Sequence, residues 1–276
     1  NFKDLNPALQ RKVVARTNGW TDKVAFYVDN LAYGIGRIAA AFYPKPVIVR
    51  FSDFKTNEYR ALTGGELYEP QEENPMIGWR GASRYYDPKF REAFKLECRA
   101  IKKVRDQMGL VNVIPMVPFC RTPAEGIKTL ELMAGEGLVS RFIAERDHLP
   151  AATIISVYVM CEIPSNVILA EDFLAVFDGM SIGSNDLTQL VLGLDRDSGI
   201  ISQVADEQNP AVKKLITDIV RICKEKNKYI GICGQAPSDH PDFALFLVEA
   251  GIDSMSLTPD TVVKTTIAVA AKEQAH

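Results

Sequence analysis

Gly179-Met-Ser-Ile-Gly183-Ser-Asn-Asp-Leu-Thr-Gln189 is a short apolar run that passes through a glycine into serine, asparagine and aspartate. A strand followed at once by residues able to cap a helix is the repeating unit of a parallel α/β fold. The same pattern recurs along the chain. Candidate strands are Val47–Phe51, Met76–Arg80, Val111–Val117, Ile155–Cys161, Gly179–Gly183, Tyr229–Cys233 and Ser254–Leu257. Between them lie amphipathic, helix-like stretches at Pro88–Met108, Pro123–Ala134, Ser165–Phe177, Ala211–Lys226 and Pro241–Ala250.

Near-continuous apolar strands alternating with helices predict a parallel sheet covered by helices. Seven strands are visible, one short of a closed (β/α)8 TIM barrel. The alternative, an open doubly wound sheet, would carry a glycine-rich phosphate loop after a strand, and the sequence has none. Upstream, Thr21-Asp22 is a plausible cap before an apolar-periodic stretch from Val24 to Phe42. Gly34-Ile-Gly36 resembles a fragment of a dinucleotide fingerprint, but it falls inside that helical pattern rather than after a strand. No repeat, low-complexity run or linker divides the chain, so residues 1–276 are expected to form one domain.

Composition excludes several classes. Lysines and arginines number 32 against 35 aspartates and glutamates, a formal net charge of -3, so no broad attraction to nucleic acid or an anionic membrane is expected. No apolar run approaches the roughly 20 residues that span a bilayer. The opening Asn-Phe-Lys-Asp-Leu-Asn reads neither as a signal nor as a transit peptide, and its lack of Met suggests that sequence upstream is absent. Cys98, Cys120, Cys161, Cys223 and Cys233 are odd in number and form no CxxC pair, which favours a reducing, cytoplasmic setting.

The chemistry gathers at strand ends. Arg50 lies near the end of the first candidate strand, followed by Ser52 and Asp53. Arg80 closes the second, Glu162 follows the fourth, Asn185-Asp186 the fifth, and Cys233 ends the sixth. In a parallel barrel these ends open onto one rim, where such enzymes place their sites. Glu162 and Asp186 are hard oxygen ligands suited to an open Mg2+ site, or each could pair with an arginine instead. Arg50 and Arg80 could clamp phosphate or carboxylate, or serve as structural ion pairs. Gly183 permits close approach of a ligand, and the amides of Gly183 and Ser184 could donate to an anionic oxygen. Cys233, between Gly231 and Gly234, is a candidate reactive thiol, whereas Cys161 should point away from the side that Glu162 faces. His148, His240 and His276 fall in loops or at the terminus and offer no catalytic histidine.

Six blocks in order, Val-Arg50-Phe-Ser-Asp-Phe-Lys-Thr-Asn-Glu-Tyr59, Glu-Glu-Asn-Pro75-Met-Ile-Gly-Trp-Arg80-Gly, Met-Cys-Glu162-Ile-Pro-Ser-Asn, Ser181–Gln189, Gly-Leu-Asp195-Arg-Asp and Gly-Ile-Cys233-Gly-Gln, resemble the PEP-utilising enzyme family. The resemblance covers essentially the whole chain. The run from Ser52 to Tyr59 and the Gly-Gln after Cys233 favour the synthase branch over the phosphate-dependent dikinases and the first enzyme of the sugar phosphotransferase system. It implies a cytoplasmic, homodimeric enzyme that turns ATP, pyruvate and water into AMP, phosphoenolpyruvate and phosphate. Glu162 and Asp186 match Mg2+ ligands, with Glu162 also near substrate, and Arg50 matches a substrate-binding arginine. Gly183, Ser184, Asn185 and Asp186 match the block that holds phosphoenolpyruvate. Cys233 matches the acid/base at the methyl or methylene carbon, and Arg80 and Arg196 match rim arginines. The resemblance also implies a first barrel strand with a further arginine, a phosphohistidine domain and an ATP-grasp domain, all expected before Asn1. Leu138–Ala152 is longer than the pattern requires and is expected to be a surface insertion. A Mg2+-dependent lyase or aldolase of the pyruvate-enolate type, which uses a similar carboxylate pair, is the competing reading.

Overall fold

The computed structural model describes residues 2–150 and 154–274. Its eight strands are β1 (Val47–Arg50), β2 (Val113–Val117), β3 (Val139–Ser140), β4 (Ile154–Ile155), β5 (Tyr158–Cys161), β6 (Gly179–Ile182), β7 (Tyr229–Ile232) and β8 (Ser254–Met255). Six form one sheet in the order β1-β2-β5-β6-β7-β8. Every pairing in it is parallel, with Arg50 opposite Met116 and Cys161 opposite Ile182. Residues of both edge strands, Arg50 on β1 and Ser254 on β8, line one cavity. A flat sheet could not bring its edges together, so the sheet curls as a partial (β/α)8 barrel.

Alternation along each strand separates two cores. Val113, Val117, Val159, Cys161, Met180, Ile182 and Ile230 face outward and are buried beneath the helices. Ile114, Met116, Tyr158, Met160 and Tyr229 face inward, where they pack with Ile48 and Cys233. Tyr158 and Tyr229 stack at 4.6 Å between ring centroids and floor the interior. Cys161 therefore lies with the helices, as alternation required.

The Lys23–Phe42 helix begins where its sequence capped it, with Asp22 accepting from the Val24 amide at 2.8 Å. It packs on the Arg91–Asp106 helix, and a Cβ on Gly36 would meet Met108 Sδ at 2.8 Å. Gly36 thus serves helix packing. No helix among the described residues is long and apolar enough to cross a membrane.

Three expectations need correction. Met76–Arg80 is not a strand, so the sheet has six strands rather than seven. Pro75 opens a 3-10 turn over Pro75–Ile77, and the Trp79 amide donates to Glu72 at 3.0 Å instead of to a neighbouring strand. The Ile155–Cys161 run is two strands, because the Val157 amide is taken by Asp178 at 3.0 Å and the ladder is interrupted there. Leu138–Ala152 is no surface insertion: Leu138, Ser140, Ile143 and Ala144 are buried, and β3 pairs in parallel with β4. Ala151 and Ala152 lie outside the described residues.

Between β1 and β2 the chain makes a long excursion carrying Arg80. Arg84, fully buried, holds it together by a two-point pair with Glu69 at 2.7 and 2.8 Å. The rings of Tyr59, Trp79 and Phe90 surround that guanidinium.

Candidate active site

The carboxyl ends of β1, β5, β6 and β7 surround a cavity of about 370 Å³ inside the curled sheet. Arg50, Glu162, Gly183, Asn185, Asp186, Arg196 and Cys233 all line it. Parallel pairing explains the convergence, since every strand delivers its next residue to the same rim. Arg80 and Ser184 are close by but do not line the cavity.

Glu162 is fully buried. Its Oε1 accepts the Phe119 amide at 2.6 Å, while its Oε2 is buried with no hydrogen-bond partner. Burial pushes its carboxyl up to about 8; the charges of Asp53 and Asp186 add to the rise, while Arg80 and the Phe119 amide oppose it. A cation beside Oε2 would restore the ionised form. Asp186 is held from two sides, by Arg80 at 3.3 Å on Oδ1 and by Arg196 at 3.8 Å on Oδ2.

Arg80 is buried and takes the second of its two readings, a structural ion pair. Its Nε and Nη2 meet the two oxygens of Asp53 at 3.1 and 2.5 Å, and its Nη1 also donates to the Met76 carbonyl at 3.2 Å. It is an ion-pair strut behind Asp186 with its donors already engaged. Arg50 differs, since its side chain is 49% exposed and only loosely paired with Asp53 at 3.8 Å. Arg50 therefore has donors to spare, as does Arg196, whose pairing with Asp186 is equally loose at 3.8 Å.

The Ser181–Gln189 run divides its labour differently from the expectation. The Gly183 amide donates to the Cys161 carbonyl at 3.0 Å and is unavailable to an anion. Gly183 instead makes room: a Cβ there would sit 2.6 Å from Glu162 Oε2 and 2.8 Å from Met160 Cε. Ser184 starts the Ser184–Leu192 helix, and its buried hydroxyl faces Gly234 rather than the cavity. Asn185, half-buried, keeps its side chain at the cavity wall.

Cys233 is half-buried among the inward apolar residues, and its Sγ lies 3.5 Å from the Ile182 carbonyl. Burial pushes its thiol up, Ser181 and Arg50 pull it down, and Glu162 and Asp186 add to the rise. Cys98, Cys120, Cys161 and Cys223 are all buried.

No group of three or more His, Cys, Asp or Glu side chains able to hold a metal occurs among the described residues. A Mg2+ site does not need one, because the ion keeps several waters and is bound through one or two carboxylates plus substrate oxygens. The orphaned Oε2 of Glu162 beside Asp186 fits that arrangement. Sequence reasoning gave no role to two residues that build the site. Asp53 stands in a quoted block, but its pairing with Arg80 crosses 27 residues. Phe119 carried no signal at all.

A barrel rim bearing two carboxylates, spare arginine donors and a thiol now has a family. The chain belongs to the PEP-utilising enzymes: the model described as "PEP-utilising enzyme, PEP-binding domain" matches residues 18–274. Curated relatives named phosphoenolpyruvate synthase are 60% identical in Synechocystis (92% of this chain, 30% of the relative) and 57% in Aquifex aeolicus (94% and 29%). The Escherichia coli relative of the same name is 53% identical over 98% of this chain and 33% of its own length. The chain thus spans about a third of the length of the relatives it matches. A solved HpcH/HpaI aldolase/citrate lyase family protein from Burkholderia cenocepacia aligns with 89% of this chain and 91% of its own at 16% identity and a TM-score of 0.45, a likeness too loose to argue from.

Proposed function

We propose that the cavity binds pyruvate and phosphoenolpyruvate, and that residues 1–276 act as one domain of a phosphoenolpyruvate synthase. The step assigned to it is phosphoryl transfer from a phosphohistidine to pyruvate enolate, within ATP + pyruvate + water giving AMP + phosphoenolpyruvate + phosphate. The relatives' shared name supports the reaction. The observation that carries the site is Glu162, buried with one oxygen bonded and the other free beside Asp186.

Glu162 and Asp186 would hold Mg2+, which when bound supplies Lewis acidity toward the substrate's carboxylate and carbonyl oxygens. Arg50 would clamp carboxylate or phosphoryl oxygens with its spare donors. The Asn185 amide and Arg196 would neutralise the group in transit, since positioning and charge supply most of phosphoryl-transfer catalysis. Arg80 supports Asp186 from behind. Cys233 holds the proton that leaves and returns at the methyl carbon. Its raised pKa makes the resting group a thiol, ready to donate to the methylene carbon of the enolate once the phosphoryl group has passed to the histidine. In the synthetic direction the thiolate removes the methyl proton, and Ser181 and Arg50 favour that form.

In this reading the phosphohistidine and ATP-grasp functions belong to other parts of a longer, cytoplasmic and homodimeric enzyme. The test is solvent-deuterium exchange into the pyruvate methyl group, followed by proton NMR with Mg2+ present. Cys233→Ala should slow exchange at least about 100-fold, the usual reach of a positioned acid/base. Exchange as fast as wild type would remove Cys233 from the mechanism.

A further inference from the structure

Three non-glycine residues among those described have positive φ: Phe119 at 44°, His148 at 53° and Asn227 at 54°. His148 and Asn227 sit in exposed turns just after helices. Phe119 does not: it is 2% exposed and lies two residues beyond the carboxyl end of β2, behind the cavity lining. A bulky side chain keeps such a backbone only where its surroundings over-determine it, and such outliers cluster at functional sites.

The amide reaches one candidate metal ligand, and the ring reaches the arginine that holds the other. The backbone amide donates to Glu162 Oε1 at 2.6 Å, which leaves Oε2 as that carboxylate's one free oxygen. The ring lies 4.1 Å from the Arg80 guanidinium carbon on one contact and 4.8 Å from that of Arg121 on another. Arg80 in turn touches Asp186 Oδ1 at 3.3 Å. The turn is locked from the other side by Gly81, where a Cβ would fall 2.5 Å from Phe119 Cβ, and by the Ala82 amide, which donates to the Pro118 carbonyl at 3.1 Å.

We infer that Phe119 is a positioning residue that registers the two carboxylates against each other, Glu162 through its amide and Asp186 through its ring and Arg80. The inference rests on the reading of Glu162 and Asp186 as Mg2+ ligands. Groups that orient metal ligands change affinity by about 10–100-fold when altered, without touching the ion themselves.

The experiment is calorimetric titration of Mg2+ into the full chain, with thermal unfolding recorded in parallel. Phe119→Leu keeps the amide but removes the π face, and should weaken Mg2+ binding about tenfold. Phe119→Met, which fills the space with an unbranched chain, should do the same and guards against a variant that fails to fold. Phe243→Leu alters an equally buried ring on the Pro241–Ala250 helix, and should lower the unfolding temperature while leaving affinity within about twofold. Affinity within about twofold of wild type in both Phe119 variants would overturn the inference and leave the Mg2+ assignment standing. A wild-type chain that binds no Mg2+ would overturn both.

Discussion

Gly183 leaves room for the carboxylate of Glu162: a Cβ at position 183 would lie 2.6 Å from Oε2 and 2.9 Å from Glu162 Cβ. Neither atom can retreat easily, because Glu162 is fully buried and tethered at Oε1. Gly183→Ala should therefore cost about 1–3 kcal/mol by overpacking and displace the carboxylate. Denaturant unfolding reads the first effect and Mg2+ titration the second. An alanine variant with wild-type stability and affinity would show that the glycine is incidental.

Ser184 and Gly234 make a second forced contact, this one beside Cys233. A Cβ on Gly234 would sit 1.6 Å from Ser184 Oγ and 2.9 Å from Ser184 Cβ. Gly234→Ala should destabilise the chain and slow deuterium exchange at pyruvate by shifting the thiol. Ser184→Ala removes the hydroxyl that collides, so the double substitution should recover part of the loss. Recovery measured as a double-mutant cycle should amount to about 0.5–3 kcal/mol, the range for residues in contact. A coupling of zero would contradict the contact.

Glu97 gives the pH response. It lies buried on the Arg91–Asp106 helix and accepts the Ser52 amide at 2.9 Å, and burial pushes its carboxyl up to about 7. The folded state then holds a proton that the unfolded chain releases near its ordinary value of 4.5. The contribution of Glu97 to stability is fully present below that value and is lost as pH rises to about 7. Glu162, pushed up to about 8, adds a slope of the same sign, so Glu97→Gln, which mimics the protonated form, should lessen the slope of unfolding free energy against pH by the share of Glu97. A slope unchanged in the variant would assign it to another group.

Much of this architecture was legible because it rests on local patterns. Apolar runs closed by Arg50, Glu162, Asp186 and Cys233 marked strand ends, and parallel topology then placed those ends on one rim. What escaped was non-local. Met76–Arg80 has the composition of a strand, yet Pro75 and the Glu72 carboxylate give its backbone other partners. For Arg80 the pattern left a substrate clamp and a structural ion pair open, and the partner that makes it an ion pair, Asp53, lies 27 residues away. Gly183 suggested a free amide, but the neighbouring strand's Cys161 carbonyl claims it. Phe119 was invisible because nothing in a phenylalanine announces a left-handed backbone.

If Glu162 and Asp186 hold Mg2+ for substrate in this cavity, as proposed, calorimetry of phosphoenolpyruvate binding will read the ion's contribution. Wild-type chain should bind at least about tenfold more tightly with Mg2+ than without, and Glu162→Gln or Asp186→Asn should each abolish that difference. Equal binding with and without Mg2+, or a Mg2+ effect that survives both substitutions, would remove the ion from these two carboxylates.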